Sequence, residues 1–388
     1  MKKLLLIPFC SFILNAQSFD MFLEDALHNS TYLKANSLSI NQANENASLT
    51  TRYKNPTLWL EASNFSPDIG NSTLGYRAGL SQPIRLWGVS GDRKGLADAQ
   101  TREAKSLVSL KHASFVAKLS LLYIDYKSRV NAEKLAKEEL LISQRIAFIS
   151  KTRYESGTIA RVKFIQSKLD ATRAKNSLSE KRAETITAYY ALLGLAGLNK
   201  EIEIETSHKF TLSETNSLEN SAEIIYMRKQ ALRAEAEAEL NANRLEWINL
   251  YGEFEEEPDQ SIVRVGVEIP LAVFNTKSQE QKIAKLEARK VALIVENISN
   301  EKVIKLKELE KSLAILKSLS KSTQILLSSQ QELLSMYEEG YKVANIDLLE
   351  LQMIKNQMIL TQEKAIKIRQ EKEKIIVEHN LLTGEYND

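Results

Sequence analysis

Two rhythms of apolar residues run along this chain. An every-second-residue rhythm occupies Thr57 to Phe65, Leu74 to Gln82, Trp247 to Phe254 and Ser261 to Pro270. Leu58, Leu60 and Ala62 carry it in the first run, Tyr76, Ala78 and Leu80 in the second, and Val263, Val265, Val267 and Ile269 in the last. That alternation predicts strands with one apolar face. Ser66 to Asn71 and Glu257-Pro258-Asp259 are turn-forming and join the strands into two hairpins. The rest is helical in rhythm. Helices are expected from about Phe19 to Tyr53 and from about Leu218 to Leu245, before each hairpin. Longer ones follow, Gly91 to about Ser150 and Ser278 to about Glu338, each returning as a second helix, Arg161 to Leu195 and Ile346 to Leu382. At 1.5 Å per residue the first long helix reaches roughly 90 Å. Leu107, Leu110, Ala113, Ala117, Leu121 and Ile124 form one stripe on it, and Phe115, Leu119, Leu122, Tyr126 and Val130 a second. A helix with two stripes packs against neighbours on two sides, as in a helical wall.

The pattern occurs twice. Leu80-Ser81-Gln82-Pro83-Ile84 matches Val267-Glu268-Ile269-Pro270-Leu271, and Tyr154-Glu155-Ser156-Gly157 matches Tyr337-Glu338-Glu339-Gly340. The prolines are 187 positions apart and the glycines 183. The chain therefore divides into a first repeat over 17–198 (hairpin 57–82, helical hairpin 91–195), a linker over 199–217, and a second repeat over 218–388 (hairpin 247–270, helical hairpin 278–382). Glu201 to Glu205 alternates within the linker and adds a small strand. Gly157 and Gly340 stand where each long helix must reverse, the usual place for a glycine. The fold class is mainly α with a small β part.

The first 16 residues read as a signal peptide: Lys2 and Lys3, an apolar stretch from Leu4 to Leu14, and Ala16 before the cut. The only cysteine, Cys10, falls inside it, so the mature chain carries no thiol chemistry. No later stretch has the roughly 18 consecutive apolar residues of a spanning helix. Lys and Arg total 52 against 50 Asp and Glu, a net charge of +2 that gives no reason for a nucleic-acid partner. His28, His112, His208 and His379 are isolated, without metal-ligand spacing, and Gly88-Val89-Ser90-Gly91 lacks the ending of a phosphate loop. No catalytic, cofactor or metal site is expected, and the chain does not read as an enzyme. Four strands cannot close a barrel, and bare edges are not tolerated in a bilayer. Three copies supply about twelve strands, within the outer-membrane range. Arg77, Arg264, Glu61 and Glu253 alternate with apolar neighbours, which suits a polar lumen and an apolar exterior.

Asn55-Pro56, Leu80 to Ile84, Tyr154 to Gly157 and Tyr337 to Tyr341, in this duplicated order, resemble the TolC-type outer-membrane efflux proteins over nearly the whole mature chain. The resemblance implies a homotrimer whose twelve strands form a barrel in outer-membrane lipid and whose long helices form a periplasmic tunnel. It implies an adaptor protein and an inner-membrane pump, RND-type, meeting the tips of the helical hairpins. The tip positions here are Gly157, Thr158, Ile159, Ala160, Arg161 and Val162, and Gly340, Val343, Ala344, Asn345 and Ile346. Asp347 and Glu350 stand where acids line the family's constriction, with Tyr341 and Lys163 as further gate candidates. Lys163 departs from the acid usual at the first tip, and the second tip reads as one residue longer. Gln82 to Gly88, with Arg93, is more similar to the CzcC-like heavy-metal branch, with Trp87-Gly88-Val89 replacing its Gly-Gly-Lys. The expected function is a passive exit duct for efflux, with heavy-metal cations as one candidate cargo. The alternatives are a type I protein-secretion duct of the same fold and a soluble periplasmic coiled-coil adaptor, for which two helical hairpins and four strands fit poorly.

Overall fold

The structure, a computed structural model, describes residues 16–66, 68–213 and 217–387. The predicted leader lies outside these except for Ala16, as do Pro67 of the first turn and residues 214–216 of the linker. In chain order the elements are α1 (Phe19–Asn29), α2 (Thr31–Thr51), β1 (Thr57–Phe65), β2 (Thr73–Arg85), α3 (Val89–Glu155), α4 (Arg161–Ala196), α5 (Ala222–Ala242), β3 (Trp247–Glu256), β4 (Ser261–Glu268), α6 (Ser278–Lys342) and α7 (Leu348–Thr383). Helix, β-hairpin and helical hairpin thus occur twice.

The helix expected over 19–53 is two. Ser30 leaves helical geometry, its N–H closing α1 on the Ala26 carbonyl while its Oγ accepts from Leu33 N at 3.3 Å. One serine ends a helix and caps the next, because its short hydroxyl satisfies an otherwise orphaned N–H.

The chain forms two compact units that each draw on both repeats. One contains residues 16–34, 112–213, 217–218 and 302–387. Here α3 uses both predicted stripes. Phe115, Leu119 and Tyr123 pack with Phe19 and Phe22 of α1 and Leu192 and Leu193 of α4. Ala117 and Ile124 pack on the other side with Val377 of α7. Near the tips, Leu327, Leu334 and Tyr341 of α6 join Leu351, Ile354 and Met358 of α7 and Leu135 and Ile146 of α3. Away from the tips the order is therefore α4, α3, α7, α6, with α4 and α6 at the two ends; nearer the tips α4 also meets α7 and α3 also meets α6. The linker makes one parallel bridge, Gln17 with Ile204, rather than a strand. It is strapped to three helices: Tyr189 Oη donates to the Ile202 carbonyl and Tyr123 Oη to that of Glu205, both at 2.7 Å, and the Asn380 amide to that of Thr211 at 2.8 Å.

The second unit, residues 35–66, 68–111 and 219–301, holds the sheet. Its order is β1-β2-β3-β4, antiparallel throughout. Leu240 of α5 packs with Val89 and Leu96 of α3, and Arg233 pairs with Glu103 at 2.8 Å. One window of α3 is long and apolar enough by composition to cross a bilayer, but 44% of it is buried inside the protein. Its apolar side chains meet other helices.

Candidate functional site

Strand register sorts the sheet into two unlike faces. Leu60 lies opposite Ala78, Ala78 opposite Phe254 and Phe254 opposite Val263. Successive side chains point to opposite faces, so Leu58, Leu60, Leu74, Tyr76, Leu80, Leu250, Phe254, Val263, Val265 and Val267 share one face, and all are exposed. A contiguous apolar face of this kind marks a surface that meets something apolar. Trp87 and Phe274, 187 positions apart, follow the last strand of each hairpin and are fully exposed.

The other face is polar and tightly paired. Glu253 accepts from Arg77 at 2.7 Å and from Arg264 at 2.6 Å; Arg264 also pairs with Glu255, and Arg77 lies 4.0 Å from Glu61. The four charged residues singled out in the sequence thus form one row across all four strands. Two aromatic–glycine pairs escaped the sequence reading. Trp59 lies over its partner Gly79 and Tyr251 over its partner Gly266, where an added Cβ would come within 2.0 and 2.5 Å of the rings. Glycine there lets a ring lie flat across the neighbouring strand.

Where the sheet meets the helices of its own unit, Arg85 donates to the carbonyls of Thr51 and Arg52 at 3.0 and 2.6 Å, and Arg93 to that of Thr50 at 3.0 Å. These are the unsatisfied carbonyls at the end of α2, which cations stabilise. The Arg85 guanidinium is also held between the rings of Tyr53 and Trp247, at 4.5 and 4.7 Å. Arg93 and Lys277 both pair with Glu246.

At the hairpin tips the structure revises the sequence alignment. The first reversal is at Gly157, φ +74°, with Gly157 N bonded to Tyr154 O and Thr158 N to Arg153 O. The second is at Ala344, φ +65°, with Ala344 N bonded to Tyr341 O and Asn345 N to Gly340 O. Gly157 and Ala344 are 187 positions apart, the same spacing as the two prolines, so the repeats keep one offset and the second tip has no extra residue. Gly340 is not the reversal; it lies inside α6, where a Cβ would meet Ile346 Cδ1 at 2.6 Å. The tempting match of two Tyr-Glu-x-Gly runs aligned a conformational glycine with a steric one.

On this alignment Asp347 corresponds to Ala160 and Glu350 to Lys163. Across the two hairpins, however, Lys163 Nζ contacts both Asp347 carboxylate oxygens at 2.8 Å. That hydrogen-bonded ammonium holds the Asp347 carboxyl below the usual range. Glu350 is exposed on the first turn of α7, and Thr158, Ala160, Arg161, Val343, Ala344 and Asn345 are exposed around the tips. Tyr341 is no gate surface. It is buried, its hydroxyl 2.8 Å from Ser150 Oγ, its ring 4.7 Å from the Arg153 guanidinium and its carbonyl accepting from Arg153 at 2.8 Å. One further buried group was not foreseen. Lys355 of α7 is fully enclosed, donating to Asp170 of α4 at 2.6 Å and Ser143 of α3 at 3.0 Å, with Glu139 at 3.9 Å. Burial pushes the Glu139 carboxyl up, and Lys355 opposes that shift. No cluster of metal-ligating side chains occurs among the described residues.

Residues 22–198 match the family described as outer membrane efflux protein. No curated protein matches the chain in sequence. Among solved structures, the CusC channel aligns at TM-score 0.79 and 16% identity, covering 94% of this chain and 91% of CusC. The outer-membrane channel OprN aligns at 0.80 and 15%, covering 95% and 90%. The open state of the MtrE outer membrane channel of Neisseria gonorrhoeae aligns at 0.74 and 15%, covering 94% and 88%. These likenesses establish the fold, and the family match runs from within α1 to just past the end of α4. Over residues 22–198 the chain is similar to the outer membrane efflux protein family, and over nearly its whole length it has the fold of these outer-membrane channels.

Proposed function

We propose that three copies of this chain form an outer-membrane exit duct, passive in itself, supplied by a periplasmic adaptor and an inner-membrane pump. The observation that carries this reading is the sheet, apolar and exposed on one face and charge-paired on the other. A sheet with water on both sides does not keep that division, whereas a barrel wall between lipid and an aqueous lumen requires it. Both edge strands, β1 and β4, are open, and in a bilayer those edges must be closed by further copies. Exposed Trp87 and Phe274 at the strand ends suit the interfacial level, where aromatic rings collect.

The hairpin tips then face the periplasm as the gate and docking region. Lys163–Asp347 is an exposed pair worth about 0–1 kcal/mol, weak enough to release when an adaptor or pump docks. Lys355 lies a little over two turns further along α7 and is far costlier to disturb, about 3–5 kcal/mol for a broken buried pair. Movement of the second hairpin is therefore proposed to begin below Lys355. The segment that resembled the heavy-metal branch does structural work, since Arg85 and Arg93 cap α2. Cargo is read out by a deletion strain challenged with cadmium, zinc, cobalt, copper, detergents and dyes. Sensitivity confined to the cations supports metal efflux, and sensitivity confined to detergents and dyes removes it. Density-gradient fractionation tests the duct itself: the protein sediments with the outer membrane, and recovery as a soluble periplasmic species would defeat the reading in favour of an adaptor or scaffold.

A further inference from the structure

An open hollow of about 560 Å³ lies where α3 and α4 meet the linker. Tyr126, Tyr189 and Tyr190 line it with Ile186, and Glu201 and Glu203 of the linker close one side. Tyr126 and Tyr189 have ring centroids 5.7 Å apart, and Tyr189 and Tyr190 5.3 Å. Tyr190 Oη donates to Glu201 at 2.5 Å, whereas Glu203 is exposed and has no cationic partner among the described residues. Tyrosine rings beside unneutralised carboxylates recognise a cation on an apolar stem. Ile186 and Tyr190 are half exposed, so the hollow is open to a partner.

The opposite end of the same unit presents a matching surface. On α6, Ile304, Ile315 and Leu326 are all exposed and recur every 11 residues. An 11-residue spacing drifts only about 20° per repeat on an α-helix, so the three form a nearly straight line. Lys311 lies within about 40° of that line, between Ile304 and Ile315. It is exposed and has no acidic partner among the described residues. Heights agree as well. Tyr126 lies 29 residues before the end of α3 at Glu155 and Tyr189 lies 28 after the start of α4 at Arg161. The same distance back from the end of α6 at Lys342 falls at Leu313, between Lys311 and Ile315. Copies related by rotation about the tunnel axis keep equal heights, and α4 and α6 are the two ends of the α4-α3-α7-α6 order.

We propose that the tyrosine–glutamate hollow is one half of an intersubunit site, completed by Lys311 and Ile315 on α6 of a second copy. Lys311 enters beside Glu203 with its stem across Tyr190, while Ile315 covers Ile186. The site selects a copy of this chain over other helical partners by pairing a lone acid with a lone base at one height. This inference rests on the proposed trimer and adds which residues join the copies.

The test uses the full chain in outer-membrane vesicles. Ile186→Cys with Ile315→Cys, oxidised, gives covalent dimers and trimers on a non-reducing gel; either cysteine alone does not. Ile186→Cys with Leu333→Cys, displaced by 18 residues along α6, or about 27 Å, gives none. If lysine-directed crosslinking yields trimers while the first cysteine pair stays monomeric, the contact is wrong and the trimer stands. If neither method yields an oligomer, the trimer reading fails. Lys311→Glu lowers recovery of the trimer in mild detergent several-fold, and adding Glu203→Lys restores it. Unchanged recovery in Lys311→Glu, or no restoration by the swap, overturns the role of the charge pair.

Discussion

Removing Lys355 exposes how much of the helical wall depends on one buried charge. Its ammonium is fully enclosed and bridges three helices, donating to Asp170 on α4 and Ser143 on α3 from its place on α7. Lys355→Met fills nearly the same volume but leaves Asp170 and Glu139 without their cation. Breaking a buried pair from one side costs about 3–5 kcal/mol, whereas replacing all its members with apolar groups is often neutral. Lys355→Met is therefore expected to destabilise by that amount, and Lys355→Met with Asp170→Leu and Glu139→Leu by much less. The penalty also depends on pH. Glu139 is raised by burial, so its charged form is a liability above its folded pKa that protonation relieves as pH falls. Without Lys355 nothing opposes the upward shift, so relief begins at higher pH. The deficit of Lys355→Met relative to wild type should be largest near pH 8 and shrink towards about pH 5. Urea titrations followed by circular dichroism across that range read it directly. A deficit below about 1 kcal/mol, or one that does not change with pH, would refute the electrostatic argument and leave only packing.

Three more expectations follow from other residues. Gly157→Ala should destabilise the first tip by about 1–2 kcal/mol, the price of a Cβ in left-handed backbone. Ala344→Gly, where an alanine already bears φ +65°, should be neutral to mildly stabilising, and equal destabilisation of both in urea melts would contradict the tip equivalence. Arg85→Leu removes two carbonyl contacts and two ring contacts, a loss of roughly 2–4 kcal/mol. Limited proteolysis should then cut first near Arg52 and Tyr53, and an unchanged cleavage pattern would show that the cap is dispensable. Lys163→Ala frees Asp347 and should raise single-channel cation preference, while Asp347→Ala with Glu350→Ala should lower it. Unchanged reversal potentials in both would place these residues away from the pore.

Strands were legible in the sequence because alternation is a period that only a sheet satisfies. β1 spans the predicted residues, and the others differ by a few positions at their ends. The two stripes of α3 were legible for the same reason, since each must meet a different neighbour. The break at Ser30 was not, because serine inside a helical rhythm differs from a cap only in backbone geometry. The tips misled for a related reason. Gly340 shares its letter with Gly157 but has no left-handed backbone, and Ala344 has that backbone without the letter. Lys355 was hidden among many lysines; only packing reveals which one is enclosed. Arg77, Glu253 and Arg264 stood out as charges in an apolar rhythm, but their joining into one row depends on register between strands 176 residues apart in sequence. The site residues most visible in the sequence were thus those whose role is written in periodicity, and the least visible were those whose role depends on a long-range neighbour.

The central claim is that this chain builds a water-filled passage through lipid. Purified protein added to a planar lipid bilayer, with single-channel current recorded, tests it most directly. Discrete conductance steps that disappear when Leu60, Val263 and Val265 on the apolar face are replaced by Asp, and persist when Arg77 and Glu253 on the polar face are replaced together by Ser, are the predicted result. A protein that stays monodisperse without detergent and produces no steps, or steps indifferent to charges on the apolar face, would contradict it.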